Sequence, residues 1–440
     1  MLQTDTLHTK FLELVKSAEA QNGATLLESR QAAFKRFSNN GFPTIRSEQW
    51  KYSNITGLLN DALQVPVEPL AVKETQDAGA ALLVKLHAPA EWLTILTING
   101  KLHTIQRPTG SKEDNLQISD VQDFLLSTED DGDNDTVVQQ AINKPFSLLN
   151  RALFLHGLQL EVKANSQVNI PVHIIHYYTG IENTFLQTRL QLKANKNAHL
   201  TVVESFIADS SCKNVVVNHA AETLLAAEAT LDHFLVQQLN EQTNLILSEV
   251  VRQEQQSDYK NHVISLPFAR FIRNNLDIAL KGTYSHTDMH GLYMVSPQQV
   301  IDNSTGINHL RPNCTSNQLY KGIVADKGTG TFNGRIYVHL DAQKTNAFQK
   351  NANLPLGEHA VINSKPQLEI YADDVRCTHG SALGQMNNQQ LFYLLARGIK
   401  QEIAVKLLSQ AFVNEVTETI EQESIRSYVA DLVEKALDQM

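Results

Sequence analysis

After Gly157 the apolar residues of this chain change from helical spacing to alternation, and the alternation keeps returning as far as about residue 385. Leu158, Leu160, Val162 and Ala164 alternate with Gln159, Glu161, Lys163 and Asn165, and Leu190, Leu192 and Ala194 alternate with Gln191, Lys193 and Asn195. A period of two sends successive side chains to opposite faces of a β-strand, so each strand carries one face that must be buried. The units recur in direct order: Lys163-Ala164-Asn165 returns as Lys193-Ala194-Asn195, 30 residues on. Ala229 to Val236 follows Ala198 to Val203 at nearly the same interval, and Leu276, Ile278 and Leu280 continue the series. Strand units repeating in this way predict a solenoid in which each coil packs on the next. A β-sandwich is the competing arrangement. Direct-order repeats, and a region longer than the ~100 residues of a common sandwich, favour a mainly β fold built on a right-handed parallel β-helix.

The flanks read differently. Phe11, Leu12, Leu14, Val15 and Ala18 recur at helical spacing among Glu and Lys within Thr9 to Ala33. GFPTIRSEQWKYSNI, Gly41 to Ile55, interrupts that pattern and reads as a loop whose Trp50 and Tyr52 pin one helix to another. WLTILTINGKLHTI, Trp92 to Ile105, places β-rich runs on either side of Asn99-Gly100, a two-residue hairpin signal. TEDDGDND, Thr128 to Asp135, lacks the glycine and the glutamate that a calcium loop needs at their fixed positions, and reads as a solvated surface loop. Leu391, Leu394, Leu395, Ile399, Ile403, Leu407 and Leu408 restore helical spacing, with Gly398 as a boundary between two helices. The expected organisation is a mostly helical region with a hairpin over 1–157, the β-helix over 158–386 and a helical region over 387–440. The terminal helices are expected to protect the solenoid ends. Half of the net charge of −10 lies in the final forty residues, as either a solvated helix face or a docking surface for a basic partner.

A chain of 440 residues buries roughly three quarters of the surface its unfolded form exposes and needs no disulfide or metal to fold. Its acidity argues against general nucleic-acid binding. Cys212, Cys314 and Cys377 are widely separated and suit a reducing cytoplasm. They also number one fewer than the four thiolates that usually hold an iron–sulfur cluster. The N-terminal segment has no uninterrupted apolar core of a signal peptide, and no run of ~18 apolar residues suggests a membrane span.

Motifs exclude more than they assign. GTGTFNG, Gly328 to Gly334, lacks the Gly-Lys-Ser/Thr of a phosphate-binding loop and follows no strand–loop–helix pattern; its glycines suit coil corners or close backbone approach. Neither G-x-S-x-G nor H-E-x-x-H occurs. His286 and His290 are four apart, but along a strand that spacing separates their Cα atoms by roughly 13 Å, too far for one metal. KPQLEIYADDVRCTHGSALGQ, Lys365 to Gln385, is more informative. In an extended backbone Cys377 and His379 share a face with Cα atoms roughly 6.6 Å apart, near enough to share a metal or a reactive sulfur. Two ligands do not complete a tetrahedral site, so any metal there needs donors from elsewhere, including another chain. A buried thiol beside a hydrogen-bonded histidine is the structural alternative.

Four runs carry a family resemblance: FPTIRSEQWKYS, INHLRPNCTSNQLYKGIV at Ile307 to Val324, FNGRIYVHLDAQKTNAFQKNANL at Phe332 to Leu354, and KPQLEIYADDVRCTHGSALGQ followed by LFYLLARGI at Leu391 to Ile399. In these the sequence resembles the SufB/SufD family of iron–sulfur cluster assembly proteins. His379-Gly380-Ser381-Ala382 differs from the His-Glu-Ala-Thr of SufB chains, and no SufB-like cysteine motif is found near the N-terminus, which places the resemblance on the SufD side. Asn313 stands where many relatives carry His before Cys-Thr-Ser, so no ligand role follows for Cys314. The resemblance implies a parallel β-helix flanked by helical regions, and a non-enzymatic scaffold subunit that pairs with a SufB-like chain and binds a SufC-like ATPase through C-terminal helices. It implies no permanent cofactor, but a transient cluster at the interface with SufB, with His379 as a metal ligand there and Cys377 beside it. Whether a reduced flavin joins the complex, and whether the isolated chain forms a homodimer, stay open at this stage. A β-helix enzyme acting on polysaccharide and a homo-oligomeric structural protein are the alternatives from other classes.

Overall fold

The computed structural model describes residues 4–19, 24–60, 62–66, 68, 70, 82–110, 114–121, 125, 136–384, 386 and 388–440. The Thr128–Asp135 segment lies outside the described residues. Helices α1 (Thr4–Glu19) and α2 (Ala24–Asn40) come first, then strands β1 (Leu93–Ile98), β2 (Lys101–Gln106) and β3 (Leu116–Asp120), then helices α3 (Thr136–Ile142) and α4 (Pro145–Leu153). The repeating strands follow and alternate between two sheets. One sheet holds β4 (Gly157–Val162), β6 (Glu182–Ala194), β8 (Lys213–Leu225), β10 (Thr243–Gln253), β12 (Phe271–Leu280), β14 (Val300–His309), β16 (Thr329–Val338) and β18 (Val361–Ile370). The facing sheet holds β5 (Val172–Tyr178), β7 (His199–Ala208), β9 (Thr230–Gln238), β11 (Asp258–Ser265), β13 (His286–Val295), β15 (Thr315–Val324), β17 (Asn346–Pro355) and β19 (Arg376–Leu383). All pairings among these strands are parallel. The chain is therefore a mostly β protein, a parallel β-solenoid of about eight turns with helical N- and C-terminal regions.

The register shows what the sequence repeat measured. Val162 lies opposite Ala194, a step of 32, and Leu245 lies opposite Ile272, a step of 27. The Lys-Ala-Asn match at 30 is thus two residues out of register with the coils it joins. Two is also the side-chain period, so the mismatch preserves which face is buried. Leu158, Leu160, Val162, Leu190 and Leu192 all lie in the core between the sheets.

One corner of the coil repeats a left-handed residue: Asn165, Asn197, Glu228, Gln256, Tyr284, Asn313 and Lys344 have φ between 50° and 63°. Asparagine enters this region easily and the others less so. The backbone N–H of Asn165, Asn197, Glu228, Gln256, Asn313 and Lys344 each donates to a carbonyl of the next coil at 2.6–3.0 Å. The unusual backbone thus places a donor that stitches coil to coil. Cys212 and Cys314 are fully buried; Cys314 follows the corner residue Asn313, and its Sγ donates to the Gly282 carbonyl at 3.2 Å.

Among the described residues the helices pack on the two lateral faces of the solenoid rather than over its ends, contrary to expectation. Phe146 and Leu149 of α4 pack with Leu7, Phe34 and Phe37 against Phe185, Val216, Ile246 and Phe271, which point outward from the first sheet. The Trp50 segment is a strap across that sheet: Trp50 meets Phe146 at 5.3 Å and lies under the Arg273 guanidinium at 4.5 Å, Ser53 bonds Asp302, and Glu48 pairs with Lys365. On the facing sheet, α6 (Gln401–Thr417) and α7 (Glu423–Leu437) bury Val413, Val416, Ile425 and Val429 against Phe234, Ile264, Leu292 and Ile323. The reason is the outward apolar set itself. Each such side chain left in water forgoes about 1.5–3 kcal/mol, so a sheet with apolar residues on both faces needs a second layer. A shorter helix, α5 (Asn388–Ala396), precedes α6, and Gly398 at φ 84° ends it as the sequence indicates.

Two acidic residues of the final forty pair with lysines of the facing sheet. Glu421 pairs with Lys260 at 2.9 Å, and Glu415 pairs with Lys350 at 2.9 Å and with the buried Lys321. Among the described residues no helix is long and apolar enough to cross a membrane.

Candidate functional site

The two ends of the solenoid are built differently. At the first, β3 pairs antiparallel with β4, while β1 adds in parallel to β5 and then turns back as the β1–β2 hairpin. At the second, β18 and β19 are the last strands of their sheets, and among the described residues each has a strand partner on one side only. Their residues are intermediate or exposed throughout, where most residues of the earlier coils are buried. An unpaired strand edge offers N–H and C=O groups to another chain.

Cys377 and His379 both lie in β19, opposite Ala347 and Gln349 of β17. Being two apart in a strand, they face the same way, toward the space between the sheets, where Cys377 packs partly against the core. His379 is exposed because no further coil covers it. Burial pushes the Cys377 thiol up from its ordinary value, so a thiolate there needs a cation to stabilise it. The imidazole of His379, being exposed, is the more accessible ligand.

Around this pair the last coil has polar groups that the sequence reading missed. Ser364 of β18 donates to Asn351 at 2.7 Å and bonds Ser381 of β19 at 2.8 Å, linking the two sheets across the open mouth. Asn351 in turn donates to the Tyr293 hydroxyl at 3.2 Å. Val361, Ile370, Tyr371 and Leu383 are exposed apolar residues of the same coil and its turn. Their common signal is membership of the last repeat, which a period count identifies only when the coil number is known.

The other candidates resolve as structural. His286 bonds Thr315 and pairs with Asp288 at 3.1 Å, whereas His290 stacks on His262 at 4.7 Å, so the two histidines of the H-x-x-x-H spacing serve different partners. Gly330 and Gly334 lie in β16, where an added Cβ would meet Val324 at 2.9 Å and Gln349 at 2.2 Å; close packing explains these glycines.

Cys377 and His379 offer one half-buried thiol and one imidazole at an open edge, fewer than the four donors an iron–sulfur cluster takes. A second exposed apolar group, Phe392, Tyr393, Leu395, Ile403 and Leu407, lies on α5 and α6.

Comparison with known proteins is consistent along the chain. Residues 176–412 match the family described as SUF system FeS cluster assembly, SufBD core domain, and residues 1–174 match the SufBD protein N-terminal region. The chain is 29% identical over 413 residues to the iron–sulfur cluster assembly protein SufD of Escherichia coli, covering 91% of this chain and 90% of that protein. It is 31% identical over 300 residues to a SufBD family protein of Synechocystis, covering 66% of each. Over 293 residues it is 25% identical to SufD of Bacillus subtilis, covering 65% of each.

Proposed function

The chain belongs to the SufBD family and is a SufD-like protein of SUF iron–sulfur cluster assembly, and from that premise we propose that it is a non-enzymatic scaffold subunit whose open solenoid end pairs with a SufB-like chain. The observation that carries this reading is the uncovered last coil, with two strand edges, an apolar rim and His379 in its mouth. Pairing there would satisfy the backbone groups of β18 and β19 and bury Val361, Tyr371 and Leu383. It would also set His379, and Cys377 behind it, beside donors of the second chain, so that iron and sulfide are held transiently as cargo. In the isolated chain the same edges are available to a second copy.

The exposed apolar group on α5 and α6 supports docking of a SufC-like ATPase on that side. Nucleotide binding by such a partner would bias the interface through its preference for one arrangement of the pair.

The test is anaerobic co-expression of the three chains and measurement of iron and acid-labile sulfide in the purified complex. His379→Ala is expected to leave the complex intact and to lower both contents. Unchanged loading would remove His379 from cluster formation, and failure to recover a SufB-like partner would sink the scaffold reading.

A further inference from the structure

Far from the open end, the interior of the early coils holds a group of titratable side chains. His176 on β5, Glu204 on β7 and His219 on β8 come from three strands in both sheets, each is at most 2% exposed, and their ligand atoms lie within 4.8 Å of one another. His176 Nε2 is 3.0 Å from Glu204 Oε1 and His219 Nε2 is 3.1 Å from the same oxygen. His233 Nε2 on β9 lies 3.1 Å from Glu204 Oε2, and its Nδ1 lies 3.2 Å from Glu249 on β10.

We propose that His176, Glu204 and His219 form a buried site for one divalent transition-metal ion, zinc(II) or iron(II), with His233 positioning the carboxylate. Three features of the geometry point there. The separations of 3.0–3.1 Å approach the ~3.3 Å edge of a tetrahedron with metal–ligand bonds near 2.0 Å.

The far ring nitrogens are held as those of metal-binding histidines are: His176 Nδ1 bonds Thr97 Oγ1 at 3.0 Å, and His219 Nδ1 bonds Thr188 Oγ1 at 2.9 Å. Such second contacts orient the rings so that both Nε2 atoms face Glu204, and with the proton on Nδ1 the Nε2 lone pair is the ligand; where no ion intervenes, His176 Nε2 is within hydrogen-bond distance of Glu204. Finally, His219 Nε2 is fully buried and aimed at Glu204, yet lies outside hydrogen-bonding geometry. A buried nitrogen in that state is costly unless something else occupies the space.

Charge adds to the argument. Glu204 and Glu249 meet imidazoles, a threonine and a tyrosine, and none of these contacts is to Lys or Arg. Two carboxylates with neutral imidazoles balance a divalent cation, whereas a single proton leaves buried negative charge uncompensated. Nitrogen and carboxylate donors without sulfur suit zinc(II) or iron(II). Phe206 stacks on His176 at 4.9 Å and meets His219 edge-on at 5.1 Å, closing the site from solvent. An ion would therefore enter while the coils assemble and leave slowly.

The competing occupant is a proton on His233. Burial pulls the pKa of that histidine down, but Glu249 and Glu204 more than reverse the effect, to about 10.

The full chain, purified anaerobically from cells grown with added zinc, iron or cobalt, separates the two readings by elemental analysis. About one equivalent of metal in the wild type, falling to background in folded His219→Gln and Glu204→Gln, is expected. A cobalt-loaded chain should show the visible ligand-field spectrum of a low-coordinate nitrogen/oxygen site. Absence of metal from the wild type in all three cultures would overturn the proposal, as would equal loading of the folded variants. If the variants do not fold, X-ray absorption of the wild-type metal decides: nitrogen and oxygen neighbours support the site, and sulfur neighbours or no metal refute it.

Discussion

The middle coils and the last coil share one backbone plan, yet they do opposite things with it. In the middle, each strand has neighbours on both sides and helices or straps behind it, so Arg273 and Asp302 are both 1% exposed and enclosed by Trp50. In the last coil the same plan leaves Leu383 67% exposed and His379 uncovered. The lesson is that position along the stack, and not strand type, separates enclosed framework from exposed edge here. A residue of the middle is enclosed by packing, and its counterpart at the end is left exposed.

This contrast breaks most sharply at Arg273. Arg273→Ala leaves the Asp302 carboxylate buried without its partner and removes the cover of Trp50, so a loss of about 3–5 kcal/mol in denaturant unfolding is expected. A loss below ~1 kcal/mol would show that the middle is not held as described. At the last coil, Leu383→Asp should change the stability of the isolated chain by no more than about 0.5 kcal/mol. It should instead weaken association with the SufB-like chain by roughly tenfold or more, as expected when an apolar side chain worth ~1.5–3 kcal/mol is lost from an interface. Equal affinity in a titration of the two purified chains would move the interface elsewhere.

The smallest effect lies between framework and surface, where α6 meets the facing sheet. Hydrogen bonds from Lys321 and Lys350 hold the Glu415 carboxyl below its ordinary value. A depressed folded-state value contributes stability above the unfolded pKa, and that stability is lost as pH falls through the folded value. Glu415 is half exposed, so the contribution is limited to about 1 kcal/mol or less. Glu415→Ala should lower thermal stability near neutral pH and converge with the wild type in acid; a constant difference across that range would rule out the ion pair as its source.

Much of the architecture was legible because it rests on period. Alternation at Leu158 to Ala164 and its return at Leu190 to Ala194 specify stacked strands, and the Asn99-Gly100 turn appears where β1 meets β2. Steps of 27 to 32 residues were harder to read, since corners vary in length while a tripeptide match has only one spacing. The helices were assigned to the wrong place because period reports that a helix has an apolar face and not which surface receives it. Cys377 and His379 can be named as a candidate pair from sequence because they are neighbours in one strand. His176, Glu204 and His219 were not, because the coils that bring them together separate them by 28 and 15 positions.

The corner residues, with their left-handed backbone, carry an implication for how such a chain changes length. Six of the seven corner amides reach a carbonyl one coil ahead, and each strand's inward set is fixed by parity. Removing an odd number of residues inside a strand would misplace a corner donor and turn apolar side chains outward together. Removing one whole coil would leave every remaining donor facing an equivalent acceptor. Viable length variation in this architecture is accordingly quantised, with the coil as its unit and the corner as the place where a cut costs least.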